Sequence, residues 1–167
     1  RISWRLASPV LAIASLFFYS WWDLRFLPLL LGSIGVNFLI GRWIEGAIGN
    51  EKALTARSWM IFGITLNLAA LGFFKYVNFF LDNVAALTGE SLSTIQVVLP
   101  IGISFFTFQQ IAYLIDVRHG NSKRYKLADY SVFVSFFPQL IAGPIVHHRE
   151  MMPQFERRIG ITANDMA

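Results

Sequence analysis

The sequence predicts an all-α, polytopic transmembrane helical protein with one broken, re-entrant segment. Three observations carry that prediction. The 167 residues are 55% hydrophobic and 16% aromatic but only 14% charged, roughly half the charged share of an ordinary soluble domain. The apolar residues collect into charge-free runs at 6–22, 26–41, 58–74, 91–115 and 130–148. Tryptophans mark the ends of the first three runs: Trp21 and Trp22, Trp43, and Trp59. Indole rings prefer that position because one edge is apolar and the N–H can stay wet at the headgroup level.

The same composition excludes several classes. Hydrophobicity is too high for a disordered chain, and a soluble bundle would lack the polar surface to cover five such helices. With no cysteine, disulfides, thiol nucleophiles and thiolate metal sites are ruled out. The net charge of +4 comes from basic residues lying between apolar runs rather than along one solvated face, so nucleic acid is not an expected partner.

Each span follows from its run. At 1.5 Å per residue, 16 to 19 residues cover roughly 24–28 Å of a hydrocarbon core about 30 Å thick. The first span, 6–22, could be a secretory signal with Arg1 and Arg5 as its basic flank. Its small-residue site, Ala12-Ile13-Ala14, lies inside the run, so a retained helix is expected. The connector Asp23-Leu24-Arg25 is short enough to demand a tight antiparallel hairpin with the second span, 26–41. Arg42 to Arg57, with Gly46 and Gly49, reads as a solvated loop. The third span, 58–81, passes Lys75, whose stem can reach toward headgroups. After a polar connector, 82–93, the fourth span covers 100–117. Thr162, Asn164 and Asp165 are helix-start residue types, so a further helix is expected there and the chain reads as part of a longer one.

Loop charges orient these spans. Arg42, Lys52 and Arg57 mark one loop and Arg118, Lys123, Arg124 and Lys126 another, whereas 76–93 holds no lysine or arginine. The positive-inside tendency puts the two basic loops in the cytoplasm and the Asp82/Glu90 connector outside. Residues 130–146 then lie between two basic stretches, with Arg149, Arg157 and Arg158 following. A simple crossing would violate the charge rule. Pro138 and Gly143-Pro144 interrupt helical hydrogen bonding within that segment, and irregular backbone at membrane depth survives only where protein or a cavity surrounds it. A re-entrant segment satisfies both constraints; a kinked full span is the plainer alternative.

Candidate functional residues come from the fourth span. Phe105, Gln109, Ala112 and Asp116 follow i, i+4, i+7, i+11 spacing, with Tyr113 adjoining, so Gln109 and Asp116 share one stripe. Polar groups are costly in lipid, so the stripe should face protein or a water-filled path. Gln109, Tyr113 and Asp116, together with Pro138, Gln139, Gly143 and Pro144 of the broken segment, are candidates to line a substrate tunnel. The bland reading of each is helix packing or helix-to-helix hydrogen bonding. His119 lies in a basic loop, and His147 and His148 diverge by about 100° on a helix, a poor pair for one ion. No metal site is expected, and no catalytic motif is present.

Three long motifs occur in order: FFKYVNFF at 73–80, LPIGISFFTFQQIAYLIDVRHG at 99–120 and FFPQLIAGPIV at 136–146. With the opening ASLFFYSWWDLRFLPLLLGSIGVNFLIGR at 14–42, they resemble the membrane-bound O-acyltransferase family, and within it the alginate O-acetylation subgroup. The D-alanyl transfer proteins of teichoic acid modification are more distant cousins. The resemblance covers nearly the whole chain and implies that 1–167 is the amino-terminal part of one membrane domain. It implies an O-acyltransferase that moves an acyl group, most simply acetyl, to hydroxyls of an extracytoplasmic polysaccharide such as alginate. Further implications are a multi-pass place in the inner membrane and polysaccharide-modifying partner proteins. No cofactor is implied beyond an acyl donor, acetyl-CoA or an acyl carrier, as co-substrate. The family's essential histidine lies in a His-Gly motif well after the matched region, so neither His147 nor His148 is that histidine, and the fragment is expected to be inactive alone. A transporter or channel with a broken helix lining a polar path is the alternative that composition leaves open.

Overall fold

The computed structural model describes residues 7–88, 97–120 and 125–136. The described residues are almost entirely helical and contain no strand. Five α-helices follow in order: α1 Ala7–Trp22, α2 Leu27–Gly49, α3 Ala53–Thr88, α4 Ile103–Arg118 and α5 Leu127–Ser135, with a 3-10 turn Leu24–Phe26 between the first two. Helices α2 and α3 are long and apolar enough to cross a membrane. Only 11% of the most apolar window of α3 is buried, and Ile61, Phe62, Leu66 and Phe73 present side chains outward. Water is a poor solvent for such a surface, and lipid is a good one.

Helix ends follow local chemistry. Asp23 caps the 3-10 turn, its carboxylate accepting from the Arg25 backbone N–H at 3.0 Å and from the Arg25 guanidinium at 2.8 Å. Pro28 occupies the first turn of α2, where a missing N–H costs nothing. That helix ends with Glu51 in the left-handed region, φ 57°, while the Lys52 N–H reaches back to the Ala47 carbonyl at 2.9 Å. This six-to-one bond closes the helix as a Schellman-type end. Gly102, at φ 72°, turns the chain into α4 through a conformation that a side chain would strain.

Three expectations are corrected. Residues 42–57 do not form a loop: α2 continues to Gly49 and α3 begins at Ala53. Arg42 and Glu45 form an ion pair at 3.7 Å on the helix surface, and Gly46 and Gly49 are too few to stop propagation before the Asn50–Lys52 turn. Trp43 and Trp59 remain at a shared level, ring centroids 4.5 Å apart, with polar helix ends beyond them. The third span is longer than 58–81, because no breaker precedes Thr88; 36 residues make a helix of about 54 Å. The short 23–25 connector also does not yield a hairpin of adjacent helices. The 3-10 turn lets α1 splay from α2, and α1 packs chiefly on α5, burying Ala12, Ser15 and Tyr19.

Contacts at the two ends set the height of the bundle. At one end the Arg118 guanidinium reaches the Ala53 carbonyl, joining the end of α4 to the start of α3. At the other, the Asn78 amide brackets Val97, donating to its carbonyl at 2.8 Å and accepting from its N–H at 3.1 Å. Tyr19 there donates to the Ile101 carbonyl. The last ten residues of α3 run on past that level. Helix α5 is nine residues long, about 13 Å, too short to cross. The re-entrant reading of 130–146 rests on residues after 136, which lie outside the described residues.

Candidate functional site

Helix α4 is the centre of the bundle's polar chemistry, because polar side chains leave it on two sides. One side carries Ile103, Thr107, Gln110 and Leu114 and packs on α2 and α3. Leu114 lies against Gly63, where an added Cβ would come within 2.5 Å of Leu114 Cδ1. Small residues at such crossings allow the close approach that membrane helices use for packing.

At mid-height this side holds a buried hydrogen-bonded knot. Asn67 Nδ2 donates to Asn37 Oδ1 at 2.6 Å, and Asn37 Nδ2 donates to Gln110 Oε1 and to Asn67 Oδ1. Ser33 Oγ donates to the same Gln110 oxygen at 3.0 Å. The amides are anchored to their own helices, Asn37 on the Ser33 carbonyl and Asn67 on the Gly63 carbonyl. Three helices are thereby tied together, since an unpaired amide would be worse in hydrocarbon than in water. Between the knot and the starts of α2 and α4 lies a cavity of about 280 Å³. Ser33, Asn37, Asn67 and Thr107 are its polar lining, and Pro28, Leu29, Leu66, Ile103 and Phe106 supply apolar wall.

The second side of α4 carries Gln109, Tyr113 and Asp116, all buried. Tyr113 packs on Gly41 of α2, where a Cβ would fall 2.5 Å from the phenol oxygen. Its other ring neighbour is Tyr130 of α5, with centroids 4.5 Å apart. Gln109 is 2% exposed, and both its amide nitrogen and its amide oxygen lack a hydrogen-bond partner. Tyr130 is 0% exposed and its hydroxyl also lacks one. The groups on this side are an amide, two phenols and a carboxyl, and among the described residues no three histidine, aspartate or glutamate side chains converge.

The comparisons with known proteins fit a membrane-embedded polar interior. The model of the membrane-bound O-acyltransferase family matches residues 53–160, well over half the chain. The chain belongs to that family. It is 43% identical over 171 residues to the peptidoglycan O-acetyltransferase of Helicobacter pylori, with 87% of this chain and 32% of that protein covered. It is 41% identical over 159 residues to a probable alginate O-acetylase of Pseudomonas syringae pv. tomato, covering 92% of this chain and 30% of that protein. A teichoic acid D-alanyltransferase of Lacticaseibacillus rhamnosus is 30% identical over 57 residues, 34% of this chain and 14% of that protein. No solved structure matches. The chain spans about a third of the length of the first two relatives. As an O-acyltransferase family member it is a membrane protein.

Within this family member, the stripe read from the sequence exists in three dimensions: Gln109, Tyr113 and Asp116 share one buried side of α4. Pro138, Gln139, Gly143 and Pro144 lie outside the described residues. Sequence reasoning missed Ser33, Asn37, Asn67, Gln110 and Tyr130. Single asparagines inside the apolar runs 26–41 and 58–74 were the available signal for the knot, since an amide there demands a partner on another helix.

Proposed function

We propose that the full protein is a multi-pass O-acyltransferase of the cytoplasmic (inner) membrane. It transfers an acyl group, acetyl in the simplest case, from a cytoplasmic donor to hydroxyls of an extracytoplasmic polysaccharide. The donor is acetyl-CoA or an acyl carrier acting as co-substrate, and partner proteins that modify the same polysaccharide complete the pathway. The supporting observation is the 43% and 41% identity to O-acetylases over about nine-tenths of this chain. The relatives named above are all transferases, which favours acyl transfer over transport.

The physical requirements of the reaction suit the arrangement described. The donor is charged and stays inside, the acceptor stays outside, and the ester must form where water is scarce enough not to take the acyl group. A path through the bundle needs polar groups at mid-height. The Gln109, Tyr113 and Asp116 side of α4 is proposed as one wall of that path, with Pro138, Gln139, Gly143 and Pro144 of the segment after α5 as another. The lysine and arginine distribution supports an orientation with the α2–α3 turn and the end of α4 in the cytoplasm.

Deleting the gene and measuring ester-linked acetate on the cell's envelope polysaccharides, peptidoglycan and alginate-type polymers separately, tests this proposal. Acetate should fall on one polymer and return on complementation with the full-length gene. Unchanged acetate on every polymer would overturn the assignment.

A further inference from the structure

The cavity between α2, α3 and α4 reaches from Pro28, in the first turn of α2, to the Asn37 amide. On a helix that interval is about 13 Å, close to half of a hydrocarbon core about 30 Å thick. A volume of about 280 Å³ spread over that depth leaves a mean section of about 21 Å². A helix about 10–12 Å across cannot enter so narrow a space; a single extended hydrocarbon chain can.

Where the cavity opens decides what reaches it. Val36 of α2 and Leu66 of α3 line it, yet they are 40% and 41% exposed. Gly32 lines it too, and a Cβ added there would meet nothing within 4 Å. These residues lie on the outer surface of the two helices long and apolar enough to cross the membrane, so the mouth faces lipid rather than water. The far wall is closed: Ile103, Phe106 and Thr107 of α4 are buried.

The polar part of the wall asks for no ligand. The Ser33 hydroxyl and the Asn37 amide nitrogen already meet the Gln110 oxygen, and the Asn37 and Asn67 amides meet each other. Thr107, the polar lining residue outside the knot, is of a type that can bond the carbonyl one turn back. A water molecule needs two to four polar partners, and a sugar would bring hydroxyls with nothing to meet. Apolar cavities of about 150 Å³ stay dry and take up hydrocarbon.

We propose that this cavity seats one acyl chain of a membrane lipid, which enters sideways from the bilayer between α2 and α3. Depth, section, mouth and lining each select that occupant. The site is independent of the acyl-transfer reading, because it depends only on lipid being the solvent.

The test uses the full-length protein in phosphatidylcholine vesicles that include a phosphatidylcholine with a diazirine near the middle of one acyl chain. After illumination, labelled residues are mapped by mass spectrometry. Label should appear on Phe106 or Thr107, which are 3% and 2% exposed and out of reach of lipid that only coats the bundle. Gly32→Leu should plug the mouth and cut that label roughly fivefold or more, since packed space admits no second chain. Labelling elsewhere and the melting temperature should hold. Ala70→Leu, in the α3 wall, is the second plug if Gly32→Leu melts early. No label on α4 in the parent protein would overturn the proposal, by showing the cavity empty or its mouth covered by another helix of the full chain. Label unchanged in a folded plugged variant would overturn it too, because the chain would then have come by another route.

Discussion

The two sides of α4 answer the same physical problem in opposite ways. On one, the Gln110 oxygen joins Asn37, Asn67 and Ser33 in a knot that links α2, α3 and α4, while the Gln110 nitrogen stays unpaired. On the other, Gln109 and Tyr130 are just as enclosed and leave three polar atoms open. Polar groups at membrane depth are tolerated when they hold helices together or when they meet something that passes. The contrast sets a paired amide oxygen and an unpaired amide a single residue apart on one helix.

The largest expected effect breaks the knot. Asn37→Leu removes one partner from Gln110, which keeps Ser33, and orphans the buried Asn67 amide oxygen, which should cost about 3 kcal/mol. Thermal or denaturant unfolding of the full-length protein in detergent measures it; a cost near that of Gln109→Met would erase the distinction between the two sides. Next come the close crossings. Gly63→Ala forces a methyl into Leu114 and Ile40, and Gly41→Ala forces one into the Tyr113 ring already wedged against Tyr130. Each should cost about 2 kcal/mol in the same assay, and Gly41→Ala should also disturb the Gln109 side.

A double-mutant cycle sharpens the comparison further. Asn37 and Gln110 should couple by about 1 kcal/mol, whereas Asn37 and Gln109 should couple by less than about 0.3 kcal/mol. Equal couplings would mean one merged network. The smallest effect lies outside the bundle. Hydrogen bonds from Arg25 hold the Asp23 carboxyl below the usual carboxylate range, so its capping contribution is complete above that range. It is lost as pH falls through the depressed value. Stability followed down the acid range should show only a slight Asp23-dependent loss at the bottom, absent in Asp23→Asn; the exposed position of the pair keeps it small.

Much of the architecture was legible from periodic facts. Charge-free runs marked the helices. The stripe of Gln109, Tyr113 and Asp116 followed from helical spacing alone. The extent of α2 and α3 was misjudged because charge was read as loop, although a helix that leaves the bilayer keeps its hydrogen bonds and only changes its surface. The knot was missed for a different reason: Asn37, Asn67 and Gln110 are separated by 30 or more residues, and no local pattern says which of two adjacent glutamines meets them.

Composition and run length determined that this chain is helical and dissolves in lipid, since hydrocarbon leaves the backbone no other partner than itself. They also determined which residues could not face that lipid. Tertiary structure alone decided what those residues face instead. The rotation of α4 between α2, α3 and α5 sends the Gln110 oxygen to Ser33 and Asn37 and leaves Gln109 without a partner, because about 100° separates neighbours on a helix and packing, not spacing, chooses which direction is which.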